Sequence, residues 1–124
     1  MRVAIVDDDP AFREALEGLL AALGYGCAAF DSTESFLAWA DRQSVSCLLL
    51  DMQMPGLGGL ELQARLVAAG EGLPIIFISS RDDGAAQARA MAAGALACLG
   101  KPFDRDRLLS LLAQVRDGRT AGPA

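Results

Sequence analysis

"LLLDMQMPGLGG", residues 48–59, is the stretch on which the fold turns. Three leucines run directly into the carboxylate of Asp51, and four residues later Pro55 and Gly56 break the chain. So short and uninterrupted an apolar run fits a strand buried on both faces, as in parallel sheets. A carboxylate beside apolar surface costs free energy unless it is paired, so Asp51 needs a reason to stand at the lip of that strand.

The same alternation runs outward in both directions. Residues 3–6 read as a strand; Asp9 then caps a helix with Pro10 in its first turn, and Phe12, Ala15, Leu16, Leu19, Leu20 and Leu23 recur at helical spacing until Gly24. Residues 25–30 are a second strand. "DSTESFLAWA" (31–40) opens a helix with Ser or Thr capping and Phe36, Leu37 and Ala40 facing inward. After the strand at 47–50, a helix is expected over about 58–69, a branched strand at 73–78, and an alanine-rich helix with a thin apolar face within 81–94, closed by Gly94. Residues 95–99 form the weakest strand, and Asp104 caps a last helix with Leu108, Leu111, Leu112 and Val115 on one stripe. The tail "DGRTAGPA" has no periodicity and reads as a linker or frayed end. Five strands alternating with five helices imply a three-layer α/β domain, because parallel neighbours need a crossover.

Composition narrows the function. The 124 residues suit one domain, and no stretch approaches the roughly 18 consecutive apolar residues of a membrane span, so a soluble protein without a secretion signal is expected. A net charge of −5 argues against sequence-independent nucleic-acid binding, which needs clustered Lys and Arg. Cys27, Cys47 and Cys98 lie apart, each in or beside an apolar run, and read as small buried thiols in a reducing cytoplasm. Histidine is absent, which excludes His-ligated metals, Ser-His-Asp triads and phosphohistidine on this chain.

The residues following the strands carry the chemistry. Parallel strands share a direction, so Asp7, Asp8 and Asp9, then Asp51, then Ser79 and Ser80, then Lys101 and Pro102 gather along one sheet edge, where open α/β sheets bind ligands. Each has a bland reading as a cap or loop residue; Asp9, before Pro10, is assigned to capping and Ser80 is left unassigned. Together they are complementary. Crowded carboxylates repel unless a cation sits among them, and oxygen ligands without thiol or imidazole select Mg²⁺. Acids, Mg²⁺, a hydroxyl and an ammonium are the parts for moving a phosphoryl group.

In this order, "IVDDD" (5–9), "LLLDMQMPGLGGLEL" (48–62), "PIIFISS" (74–80) and "GKPF" (100–103) closely resemble the receiver domain of two-component response regulators, over about residues 2–116. The resemblance implies a CheY-like, flavodoxin-like doubly wound (βα)5 sheet of order 2-1-3-4-5, a receiver unit at 1–117 and a linker or tail at 118–124. It implies that Asp51 accepts a phosphoryl group from a sensor histidine kinase, that Asp7, Asp8, Asp51 and the backbone carbonyl of Gln53 hold Mg²⁺, that Ser79 and Lys101 contact the phosphoryl group, and that a cis bond often precedes Pro102. Cys98 stands where receivers carry an aromatic switch residue partnering Ser79, and a thiol cannot sweep the same volume; the signal is therefore expected to pass through the loop after Ser79 and the helix of about 83–93. The motif details resemble receivers of the FixJ kind, so a helix-turn-helix DNA-binding output beyond residue 124, phosphorylation-dependent homodimerisation and a cytoplasmic, membrane-free setting are expected. The domain itself would not bind nucleic acid, and would be no enzyme beyond its own phosphorylation and dephosphorylation. A stand-alone regulator is one alternative. A phosphatase of the haloacid dehalogenase type is another, but such enzymes place an acid where this chain has Gln53; flavodoxin-like cofactor binding would set anionic phosphate against three aspartates.

Overall fold

A computed structural model describes residues 1–54, 56–79 and 84–118. Strand β1 (Arg2–Val6) is buried from Val3 onward, and β3 (Cys47–Asp51) and β4 (Ile75–Ser79) are buried along their whole length. With β2 (Gly26–Phe30) and β5 (Ala97–Gly100) outside them they form a parallel sheet in the expected order β2-β1-β3-β4-β5. Each crossover carries a helix: α1 (Pro10–Ala22), α2 (Thr33–Ala38), α3 (Gly59–Ala68), α4 (Gly84–Ala92) and, after β5, α5 (Arg105–Arg116).

The pleat sorts the leucine run between two cores. Leu49 packs with Val3, Ile5, Leu16, Leu20 and Leu108 under α1 and α5, whereas Leu48 and Leu50 pack with Phe36, Leu62, Leu66 and Phe77 under α2, α3 and α4. Burying one such leucine contributes roughly 1.5–3 kcal/mol. Helix starts follow the caps read from sequence: the Asp9 carboxylate accepts from the N–H groups of Ala11 and Phe12, Ser32 from that of Ser35, and Asp104 from that of Asp106.

Several expectations need correction. The second helix stops at Ala38, because Trp39 turns extended and its ring packs 5.2 Å from that of Phe30, beneath the Arg2 guanidinium at 4.7 Å. Ala40 is therefore exposed, and a short 3-10 turn, Arg42–Ser44, leads into β3. On α1 only Leu16 and Leu20 are fully buried, while Ala15 and Leu23 are exposed. Pro74 precedes β4 rather than joining it, although its carbonyl still accepts from the Leu48 N–H at 2.9 Å. Cys47 is buried and its thiol is pushed up to about 12 by burial; Cys27 and Cys98 are only half-buried, because β2 and β5 are edge strands. Among the described residues no helix is long and apolar enough to cross a membrane.

Gly59 brings α3 close behind the site. A Cβ there would lie 2.8 Å from the Asp51 carbonyl oxygen and 3.1 Å from the Phe77 ring. Gly59→Ala should cost roughly 1–3 kcal/mol, since backbone and a buried ring must move, and urea denaturation would read the loss. An unchanged midpoint would show that α3 can retreat without cost.

Candidate functional site

Backbone hydrogen bonds continue the sheet into the site. The Asp7 N–H donates to the Phe30 carbonyl (3.1 Å), the Met52 N–H to that of Ile78 (2.9 Å) and the Lys101 N–H to that of Ser79 (2.7 Å). Each functional side chain thus starts from backbone as fixed as the strand before it. The Lys101-Pro102 bond is cis.

Asp7, Asp8 and Asp51 each present a carboxylate oxygen within 4.8 Å of the other two. Asp7 is 1% exposed and Asp51 5%, while Asp8 reaches solvent. Asp7 Oδ1 accepts from the Asp9 N–H at 2.8 Å, and the Arg13 guanidinium donates to the Asp7 carbonyl at 2.8 Å. Lys101 Nζ lies 2.8 Å from Asp7 Oδ2 and 3.9 Å from Asp51 Oδ2. The closer contact is an attraction of charges without hydrogen-bond alignment, so buried Asp7 Oδ2 keeps no hydrogen bond.

Asp51 Oδ1 accepts from the Gln53 N–H at 3.0 Å. Its carboxyl is nevertheless pushed up to about 6, first by burial and then by the Asp7 carboxylate; the Gln53 N–H and Lys101 pull the other way, and Asp8 adds a little repulsion. The Ser79 hydroxyl donates to Gln53 Oε1 at 3.1 Å, and Gln53 Nε2 is buried without a hydrogen bond. A cluster of hard oxygen donors, one of them a buried carboxylate oxygen without a hydrogen bond, suits a divalent cation.

Asp7, Asp8, Asp51, Gln53, Ser79 and Lys101 are therefore brought together at one edge of the sheet, Gln53 through its N–H and side chain. Cys98 stands apart: it pairs with Phe77 in the sheet, and its Sγ faces the Gln87 carbonyl of α4 at 4.0 Å. Ser80 lies outside the described residues. Sequence reasoning missed the side-chain amide of Gln53, the Arg13 guanidinium, and Phe12, which it read as core but whose ring lies 4.2 Å from Lys101 Nζ. Helical spacing puts Phe12 on the inner face and gives no hint of what cation it meets.

The family model for the response regulator receiver domain matches residues 3–113. The chain belongs to this family. The receiver is 39% identical over 110 residues to the response regulator protein TodT of Pseudomonas putida, covering 89% of this chain and 48% of that protein. It is 36% identical to the transcriptional regulatory protein FixJ of Bradyrhizobium diazoefficiens, over 89% of this chain and 54% of that one. A response regulator receiver protein from Pseudoalteromonas atlantica superposes with a TM-score of 0.88 at 29% identity, covering 95% and 98% of the two chains. The receiver spans about half the length of the curated relatives it matches.

Proposed function

We propose that this receiver, a unit of residues 1–117, is the phosphorylation switch of a two-component system and that Asp51 accepts the phosphoryl group. The observation that carries this reading is the Asp51 carboxylate, buried, flanked by two further acids and 3.9 Å from the Lys101 ammonium. Asp7, Asp8, Asp51 and the Gln53 carbonyl would hold Mg²⁺, which would supply neutralisation of phosphoryl charge when bound. An ionised Asp51 oxygen attacks phosphorus in a partner kinase's phosphohistidine: a P–O bond forms, the P–N bond breaks, and the electron pair leaves with the imidazole. Lys101 pairs with the phosphoryl oxygens, and the Ser79 hydroxyl leaves Gln53 Oε1 to donate to one of them. Gln53 cannot serve as an acid or base, so turnover of small esters is not proposed.

Residues 118–124 would begin a linker to a helix-turn-helix output, a reading supported by relatives about twice as long, one of them a transcriptional regulatory protein. Homodimerisation on phosphorylation and a cytoplasmic setting complete it. The signal would leave Ser79 through α4, with Cys98 replacing an aromatic partner; the loop at 80–83 lies outside the described residues. Only Ala90 of α4 is buried, and its carbonyl is held by Gln63 Nε2 at 2.9 Å. So thinly packed a helix opens at low cost. Phosphorylation should change amide exchange across residues 84–95, and unchanged exchange there would sink the α4 route.

Acetyl phosphate tests the main reading. With Mg²⁺ the intact mass should show one phosphoryl adduct, absent when a chelator replaces the metal. Sustained phosphate release from many esters without an adduct would indicate an enzyme instead.

A further inference from the structure

Lys101 is held on three sides, and only two of them are acids. The third is the face of Phe12, whose ring centroid lies 4.2 Å from Nζ, well inside the range in which a ring quadrupole attracts a cation. The plane of that ring is set by Phe103, which meets it edge-on at 5.8 Å and 84°. Its backbone is set by Asp9, whose carboxylate accepts the Phe12 N–H at 3.4 Å in the first turn of α1. We propose that Phe12 is a positioning residue for phosphoryl transfer, holding the Lys101 ammonium beside Asp51 through its ring face; this rests on the phospho-acceptor reading above.

The physical reason lies in what a ring does not do. A lysine stem is long and flexible, so an ammonium that must meet a phosphoryl group gains from being held in place beforehand. A carboxylate holds it by cancelling its charge, and Asp7 already does so at 2.8 Å. A phenyl ring attracts the ammonium while carrying no net charge, so it holds Nζ in place without cancelling any more of the charge that the phosphoryl oxygens will meet. The Lys101 side chain is only 17% exposed, which strengthens the contact over one in open water. Residues 7 to 12 then supply two acids, a helix cap and a cation support within six residues of chain.

The test is a series of fluorinated phenylalanines placed at position 12 alone, which drain the ring face while keeping its shape. The readout is the initial rate of phosphoryl adduct formation with acetyl phosphate and Mg²⁺, followed by intact mass. Stepwise slowing with each fluorine is expected, reaching about fivefold for the trifluoro ring and for Phe12→Leu, the rate equivalent of ~1 kcal/mol. Phe103→Leu should slow the reaction less. A flat fluorine series with a normal wild-type rate overturns the inference, even if Phe12→Leu is slow, because slowing by leucine alone is a packing effect. Wild type that forms no adduct overturns the phospho-acceptor reading, and this inference with it.

Discussion

Asp51→Asn should stabilise the metal-free protein by about 3 kcal/mol at pH 8 and have little effect on stability below pH ~4. The wild-type carboxyl is raised from its ordinary 3.8 to about 6 in the folded state, so folding favours its protonated form. The stability this contributes is fully present below the unfolded value and is lost as pH rises through about 6. Asparagine keeps an acceptor for the Gln53 N–H but cannot ionise, so it escapes the loss. Mg²⁺ should narrow the gap by stabilising the wild type through binding linkage, and should raise the variant's melting temperature less. Thermal unfolding of both proteins across pH 4–8, with and without Mg²⁺, gives the four comparisons. A variant less stable than wild type in metal-free buffer at pH 8 would mean that burial and repulsion at Asp51 are already offset.

Lys101→Met should act in the opposite sense. The substitution keeps most of the stem volume but removes the ammonium 2.8 Å from a carboxylate that is almost wholly buried. Asp7 and Asp51 then face each other with no cation between them, at a cost on the order of 2–4 kcal/mol near pH 8. Protonation or metal can replace the lost charge. The deficit should therefore shrink as pH falls and shrink again with Mg²⁺, whose effect on melting temperature should exceed its effect on wild type. The two substitutions share one cluster, so their effects should not add: Asp51→Asn should recover part of what Lys101→Met loses. A Lys101→Met protein as stable as wild type at pH 8 without metal would show that the ion pair contributes nothing net.

Much of this was legible because the chain states it locally. Asp9 before Pro10, Ser32 and Asp104 announce three helix starts, and an apolar run ending in Asp51 places that carboxylate at the end of a strand wherever the strand lies. Parallel direction then gathers Asp7, Asp51, Ser79 and Lys101 at one edge without knowledge of a single distance. Features fixed by contacts between distant segments were not legible. Ala40 points outward because Trp39 leaves the helix to pack on Phe30 and under Arg2, a contact no helical period contains. Cys27 and Cys98 lie half-exposed because strand order, not hydrophobicity, decides which strands are edges. The thin hold on α4 appears in sequence as alanine, but the Gln63 bond to the Ala90 carbonyl does not. Phe12 and Lys101 meet across most of the chain, and helical spacing alone made Phe12 another core residue.

Peptide mapping of the protein treated with acetyl phosphate and Mg²⁺, with hydroxylamine lability as the chemical signature, tests the nucleophile most directly. The expected result is one hydroxylamine-labile phosphoryl group on the peptide containing Asp51, missing in Asp51→Asn. A stable ester on Ser79, or an adduct on Asp7 or Asp8 that persists in Asp51→Asn, would contradict it.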